Sequence, residues 1–129
     1  MLLFAFNNEC LIGSRSFIGR IQALLDSSAP AARRAGVSLL SLTLSTVDRE
    51  TLRANHNAWV GALLRLLKDA PRGVNATTAR LALCEIFARS EACGADLRRD
   101  IVVTHLSKAA PAILQPFSEA SGSAEAAAA

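Results

Sequence analysis

His56 and His105 are the two imidazoles in this 129-residue chain. An imidazole titrates near neutral pH and can serve as a general base or a metal ligand. His56, however, follows Leu52 and precedes Val60 at four-residue spacing, and Trp59 lies next to it on the same helical face. That placement calls for a buried, hydrogen-bonded core histidine. His105 falls near the expected end of a helical segment, where a structural or capping role is the default. Three cysteines, Cys10, Cys84 and Cys93, form no CxxC pair, and neither histidine is close to them in sequence. A zinc site needs several ligands at hairpin or helical spacing, so no metal is expected. The thiols read as reduced, as in a cytosolic or nuclear protein, with Cys84 expected in the core and Cys93 lacking a local base. Asp96 and Asp100, one helical turn apart, have the spacing of paired carboxylates. Alternating with Arg98 and Arg99, they read as a solvated charged face.

Neither a dinucleotide-binding glycine motif nor a phosphate loop is present. Gly13 and Gly19 stand alone, and Gly73 is not followed by Lys. Phosphate cradling, and with it the usual nucleotide cofactors, is not expected. Asn75-Ala76-Thr77 matches a glycosylation sequon but reads as a helix cap. Chemistry that recognises a partner is better represented. Arg65, Lys68 and Arg72 cluster near one helix end, where cations complement the helix dipole. Together with Arg98 and Arg99 they are the candidate partner-binding residues, facing an acidic protein or RNA phosphates. Interleaved aromatic residues of the kind that stack single-stranded bases are missing.

The elements that must position these residues are helices. Leu52, His56, Trp59, Val60, Leu63, Leu64 and Leu67 recur at spacings of three and four between Asp48 and Asp69, the pattern of one long amphipathic helix. Before it, Phe17, Ile18, Ile21, Leu24 and Leu25 trace a short helical face from Ser16 to Asp26. A second helix runs from about Pro30 to Thr46, with Ser28 as its expected cap. Its buried stripe is read as Ala32, Ala35, Gly36, Leu39, Leu40 and Thr43 with Leu44, and Gly36 allows a neighbouring helix to come close. Asp48 and Glu50 suit the start of the long helix. After the breaker Ala70-Pro71-Arg72-Gly73, Asn75 is read as the cap of a helix with Ala79, Ala82, Leu83, Ile86 and Phe87 on one face. Leu81, Cys84 and Ala88 form a second apolar face, which predicts a helix between layers. Leu97, Ile101, Val102 and Leu106 begin a fifth segment, and Pro111 predicts a kink or a fresh start.

Composition agrees. The chain is 51% hydrophobic with five Phe, one Trp and no Tyr, which favours helices over strands. A net charge of +3 and a pI near 9.1 are compatible with an acidic partner and fall short of a nucleic-acid signature. The apolar opening Met1–Phe6 turns polar at Asn7, too short for a signal peptide, and no stretch approaches the roughly 18 apolar residues of a membrane span. The predicted class is all-α, with residues 1–15 an arm or truncated helix, 16–117 a helical-repeat domain and 118–129 a flexible Ser/Ala-rich tail. Helix pairs recur about every 40 to 48 residues, in the range of HEAT or armadillo hairpins stacked into an α-solenoid. A four- to five-helix bundle is the alternative.

The order of these pieces resembles the amino-terminal helical domain of the Rix/PELP family of ribosome-biogenesis scaffolds. The small-and-leucine helix Arg34-Ala35-Gly36-Val37-Ser38-Leu39-Leu40 precedes Asn55-His56-Asn57-Ala58-Trp59 and its leucines. An alanine-leucine helix comes next. Then come Arg98-Arg99-Asp100-Ile101, His105-Leu106 and Pro111-Ala112-Ile113-Leu114. The agreement covers roughly residues 15 to 115. Trp59, Asp100 and Ile101 match the family pattern as fold-forming residues. The resemblance implies a non-enzymatic scaffold of the nucleolus and nucleoplasm that joins subunits of a Rix-type complex on the large-subunit (pre-60S) precursor. It further implies a part in removing an internal transcribed spacer and in recruiting a remodelling ATPase. Protein partners are implied, rRNA contact is left open as direct or bridged, and neither membrane nor small-molecule ligand is expected. The reading from another class is a generic HEAT/armadillo adaptor unrelated to ribosomes, and a helical-bundle enzyme or ligand carrier is the third.

Overall fold

The computed structural model describes the backbone of residues 15–128 and the side chains of residues 17–116. It is all-α, with α1 Arg15–Leu25, α2 Pro30–Leu44, α3 Arg49–Asp69, α4 Val74–Glu91 and α5 Ala95–Ala128, and no strand occurs among the described residues. Residues 1–14, expected to form an arm or truncated helix, lie outside the described residues. So do the side chains from 117 onward, including Phe117 and the expected tail, although the bounds of α5 run to Ala128.

The main packed pairs are α1 with α2 and α3, α2 with α4, and α5 with α3 and α4, while α3 and α4 also pack on each other. This places α1, α3 and α5 in one layer and α2 and α4 in a second. Within each layer the helices run parallel. Asn75 Nδ2 at the start of α4 donates to the Pro30 carbonyl at the start of α2 (3.0 Å), and Arg89 near the end of α4 donates to the Val47 carbonyl just past α2 (2.7 and 3.0 Å). In the other layer, Ile18 of α1 shares a groove with Glu50 and Ala54 of α3, and Asp26 past α1 meets Arg65 late in α3.

The core is the long stripe of α3 and what meets it. Leu52, Trp59, Val60, Leu63, Leu66 and Leu67 are buried there, beside Leu83 and Ile86 of α4 and Leu97 and Ile101 of α5. Burying such side chains contributes about 1.5–3 kcal/mol each, before the entropy of ordering them. Asp48 caps α3, its carboxylate accepting from the Thr51 N–H at 3.2 Å. Hydrogen bonding from Thr51 holds that carboxyl below its ordinary value. Gly36 sits where α1 crosses α2, and a Cβ there would stand 2.9 Å from both Leu24 Cβ and the Leu25 backbone nitrogen. The corner glycines Gly73 and Gly94 have φ of 103° and 105°, a region that side-chain-bearing residues rarely adopt.

Several expectations are corrected. Ser28 does not cap α2. The N-cap is Ala29 in extended backbone, and Ser27 Oγ accepts from the Ala29 N–H instead. Asn75 is not the cap of α4 either. Gly73 holds that position, and Asn75 ties α4 to Pro30 and Arg34 of α2. In α2 the buried stripe takes Val37, while Ala35 is exposed. Cys84 is exposed and Cys93 is buried, because neighbours cover α4 on the sides facing α2, α3 and α5 and leave its second apolar face open. Leu106 is half exposed; the buried stripe of α5 runs Leu97, Ile101, His105, Ala109 at strict four-residue spacing.

Pro111 neither kinks the chain into a new element nor starts one, and α5 passes through both Pro111 and Pro116. Proline removes the N–H that would bond the carbonyl four residues back. For Pro116 that carbonyl is Ala112, and Arg80 Nε of α4 donates to it at 3.0 Å. Arg80 Nη2 also donates to Gln115 Oε1 (2.9 Å) and to the Pro71 carbonyl (2.8 Å). One guanidinium thus replaces the missing amide and fixes α4 against α5.

Candidate functional site

The two groups of predicted partner-binding cations lie apart. Arg65 is near the end of α3, where its guanidinium pairs with Asp26 at 2.6 Å, both side chains about half exposed. Lys68 is exposed beside a groove of about 310 Å³ shared with Leu64, Leu67, Pro111, Ala112 and Gln115. Arg72 is exposed in the loop between α3 and α4. Arg33 reaches across to Asp69 at 3.1 Å in the same region. The exposed Arg65–Asp26 pair contributes at most about 1 kcal/mol and is screened by salt. Arg98 and Arg99 stand in the first turns of α5, at the opposite end of the parallel α3/α5 pair. Twelve residues of helix separate Arg99 from Pro111, a rise of about 18 Å. The two groups are therefore distinct surfaces, and the structure does not merge them into one patch. Arg98 approaches Glu91 at 3.5 Å, and no ion pair among the described residues includes Arg99.

The histidines, by contrast, come together. His56 Nδ1 and His105 Nε2 are 2.8 Å apart, with the rings edge-on at 80° and their centroids 5.0 Å apart. Both are buried, at 2% and 7% exposure. The Asp100 carboxylate, itself exposed, lies 3.8 Å from His56 Nε2. It favours the His56 tautomer protonated at Nε2, so that Nδ1 accepts and His105 Nε2–H donates. Burial pushes both imidazoles below the ordinary histidine value. Asp100 opposes the shift at both rings, while His56 and Lys108 deepen it at His105. His56 is thus the hydrogen-bonded core histidine its stripe implied. His105 is a correction, since it sits in the body of α5 and not at a helix end. Its register with Leu97 and Ile101 was the signal available in the sequence. Among the described residues no group of three or more His, Cys, Asp or Glu side chains is placed to hold a metal ion. The histidine pair joins α3 to α5 through two buried side chains.

Side chains not singled out from sequence hold the turns. Arg80 and Arg89 both aim at backbone carbonyls of neighbouring elements. Nothing in local sequence distinguishes them from solvated arginines. Both make contacts between helices and turns.

Compared with known protein families, residues 8–128 match the one designated RIX1 and described as rRNA processing/ribosome biogenesis. The chain belongs to the RIX1 family. Membership carries a role in rRNA processing and ribosome biogenesis. The matched segment contains every element of the resemblance, from the α2 leucines through Trp59 to Arg99-Asp100-Ile101. No curated protein and no solved structure matches this RIX1 chain. No helix among its described residues is long and apolar enough to cross a membrane.

Proposed function

We propose that this RIX1-family chain is a non-enzymatic scaffold segment, built of HEAT/armadillo-like stacked hairpins, that works in pre-60S assembly and pre-rRNA spacer processing. Its partners are protein subunits of a Rix-type complex, and its place is the nucleolus and nucleoplasm. The family match over residues 8–128 carries the reading. Two features of the fold support it. Alternate helices run parallel within two layers, the arrangement that stacked helical hairpins produce and that extends by adding further pairs. The two buried imidazoles, His56 and His105, satisfy each other, and the exposed cations stand on open surface where a partner can reach them.

The test is affinity purification of the tagged chain from its native cells, with and without nuclease. Large-subunit precursor factors that remain after nuclease support protein-bridged scaffolding. Recovery of unrelated partners alone, in both samples, would replace this reading with a general helical-repeat adaptor.

A further inference from the structure

The exposed apolar side chains are distributed unevenly. Of the six large hydrophobic residues most exposed among those described, Val74 and Leu81 lie on α4, Val103, Leu106 and Leu114 on α5, and Leu42 alone elsewhere. On α4, Leu81, Cys84 and Ala88 form an open stripe at spacings of three and four, its centre more than a right angle round the helix from the midpoint of Asn75 and Arg89, which face α2. On α5, Val103 and Leu114 lie nearly opposite Ile101 and His105, which face inward, and Leu106 lies about 100° round the helix from His105. Each stripe therefore points away from the preceding helix of its own layer. The two helices run antiparallel, with Glu91 beside Arg98 and Arg80 beside Ala112. The turns bearing Leu81 and Cys84 thus lie level with the stretch from Leu106 to Leu114. Together they make one elongated apolar face along the α4–α5 edge of the stack.

This face has a charged end. A depression of about 300 Å³ lined by Ala95, Arg98, Arg99 and Val102 opens where the α5 stripe begins. Among the described residues Arg99 has no ion pair and Arg98 has only the long, exposed approach to Glu91, while Asp96 and Asp100 on the same turns stand further round the helix and outside this lining. A second copy of the chain is a poor match. Two α5 helices paired antiparallel about Leu106 would set each Arg98 against the exposed Leu114 of the other copy, leaving the guanidinium on an apolar side chain. RNA would satisfy the arginines and leave the leucines wet. An amphipathic helix with carboxylates at one end satisfies both, placing apolar residues at i, i+3, i+4 and i+7 along the stripe.

We infer that the α4–α5 face receives an amphipathic helix of an acidic protein, with its apolar side on Leu81, Leu106 and Leu114 and its carboxylates at Arg98 and Arg99. This deepens the scaffold reading and rests on it.

Cys84 is a native reporter, since its thiol is exposed on this face while Cys93 is buried. The probes are two 20-residue helical peptides with the same leucine stripe, one carrying Glu and one Lys at the flanking positions. Binding is followed by anisotropy and by maleimide alkylation of Cys84, mapped by mass spectrometry. The Glu peptide should slow Cys84 alkylation and bind about five- to tenfold more tightly than the Lys peptide, the scale of a few exposed charge pairs. Leu106→Lys, at a half-exposed position that leaves folding intact by circular dichroism, should abolish binding. The double variant Arg98→Glu/Arg99→Glu should keep the fold and reverse the preference between peptides.

Equal binding of the two peptides, or binding that survives Leu106→Lys, overturns the inference. Self-association removed by Leu106→Lys overturns it in favour of a second copy. Protection of Cys84 by a single-stranded RNA oligonucleotide as strong as that by the Glu peptide overturns it in favour of nucleic acid. Repeating the affinity purification with Leu106→Lys separates the two claims. Undiminished recovery of precursor factors keeps the scaffold and rejects this surface, whereas failure of the unmodified chain to recover them rejects the scaffold itself.

Discussion

Acidification should loosen this chain well before its carboxylates titrate, and the buried histidine pair sets the size of the effect. In the unfolded chain both imidazoles titrate near the ordinary value of 6.5, whereas in the fold burial holds both lower. Between the folded and unfolded values the unfolded state binds more protons, so stability rises with pH and is lost as pH falls. A histidine that stays neutral when folded costs about 1.4 kcal/mol of stability on going from about pH 7.5 to about pH 5.5. If the 2.8 Å pair excludes both protons the loss is about 2.7 kcal/mol; if Asp100 helps it keep one, the loss is about 1.4 kcal/mol. The chain has no other histidine. The other group shifted among the described residues, Asp48, is lowered from 3.8, so its stabilisation fades only in stronger acid. Urea melts followed by circular dichroism at several pH values would read the slope directly. The double variant His56→Gln/His105→Gln should flatten it. A flat profile in the unmodified chain, or an equal slope in the double variant, would show that the pair does not exclude protons.

Three further outcomes are expected. Trp59→Ala should destabilise by about 3–5 kcal/mol through lost transfer energy and a cavity, since the ring is fully buried; a loss under about 1 kcal/mol in chemical denaturation would contradict that placement. Gly36→Ala should cost about 1–3 kcal/mol, because the new Cβ meets backbone that cannot swing aside; an unchanged melting midpoint would mean that α1 and α2 cross less closely. Arg80→Ala should cost about 1–3 kcal/mol by leaving the Ala112 carbonyl without a donor. That loss should shrink in a Pro116→Ala background, where residue 116 regains the N–H, and a double-mutant cycle with no coupling would rule out the substitution of guanidinium for amide.

What could be read from the sequence depended on how far apart the cooperating residues lie. The stripe Leu52, His56, Trp59, Val60, Leu63, Leu64, Leu67 is written within one helix and is buried as its spacing implies except at Leu64, which is half-buried while Leu66 is covered instead. Asp48 announces its cap three residues before Thr51, and Gly36 announces a close crossing. By contrast, 49 residues separate His56 from His105, and no local pattern links them. Asn75 looked like a cap because caps and clamps use the same side chain, and only the neighbouring α2 decides between them. Cys84 was misplaced for a related reason. An apolar second face signals that something covers it, without saying that the cover belongs to the same chain. The five candidate cations were legible as exposed charge, and their division between two ends of α3 and α5 required the parallel packing to be seen.

That packing bears on synthesis. Because α2 packs mainly on α1 and α4, and touches the α3 that follows it chiefly through the Arg33–Asp69 ion pair, its second contact surface is completed only once Glu91 has emerged, 47 residues after Leu44. At elongation rates of about 5–20 residues per second, this leaves part of the α2 surface uncovered for roughly 2–9 s. Through that interval α1 is its sole packing partner from the main set, across the tight crossing at Gly36. The nascent chain therefore holds a half-dressed helix for seconds, long enough for a chaperone to engage it before the second layer closes.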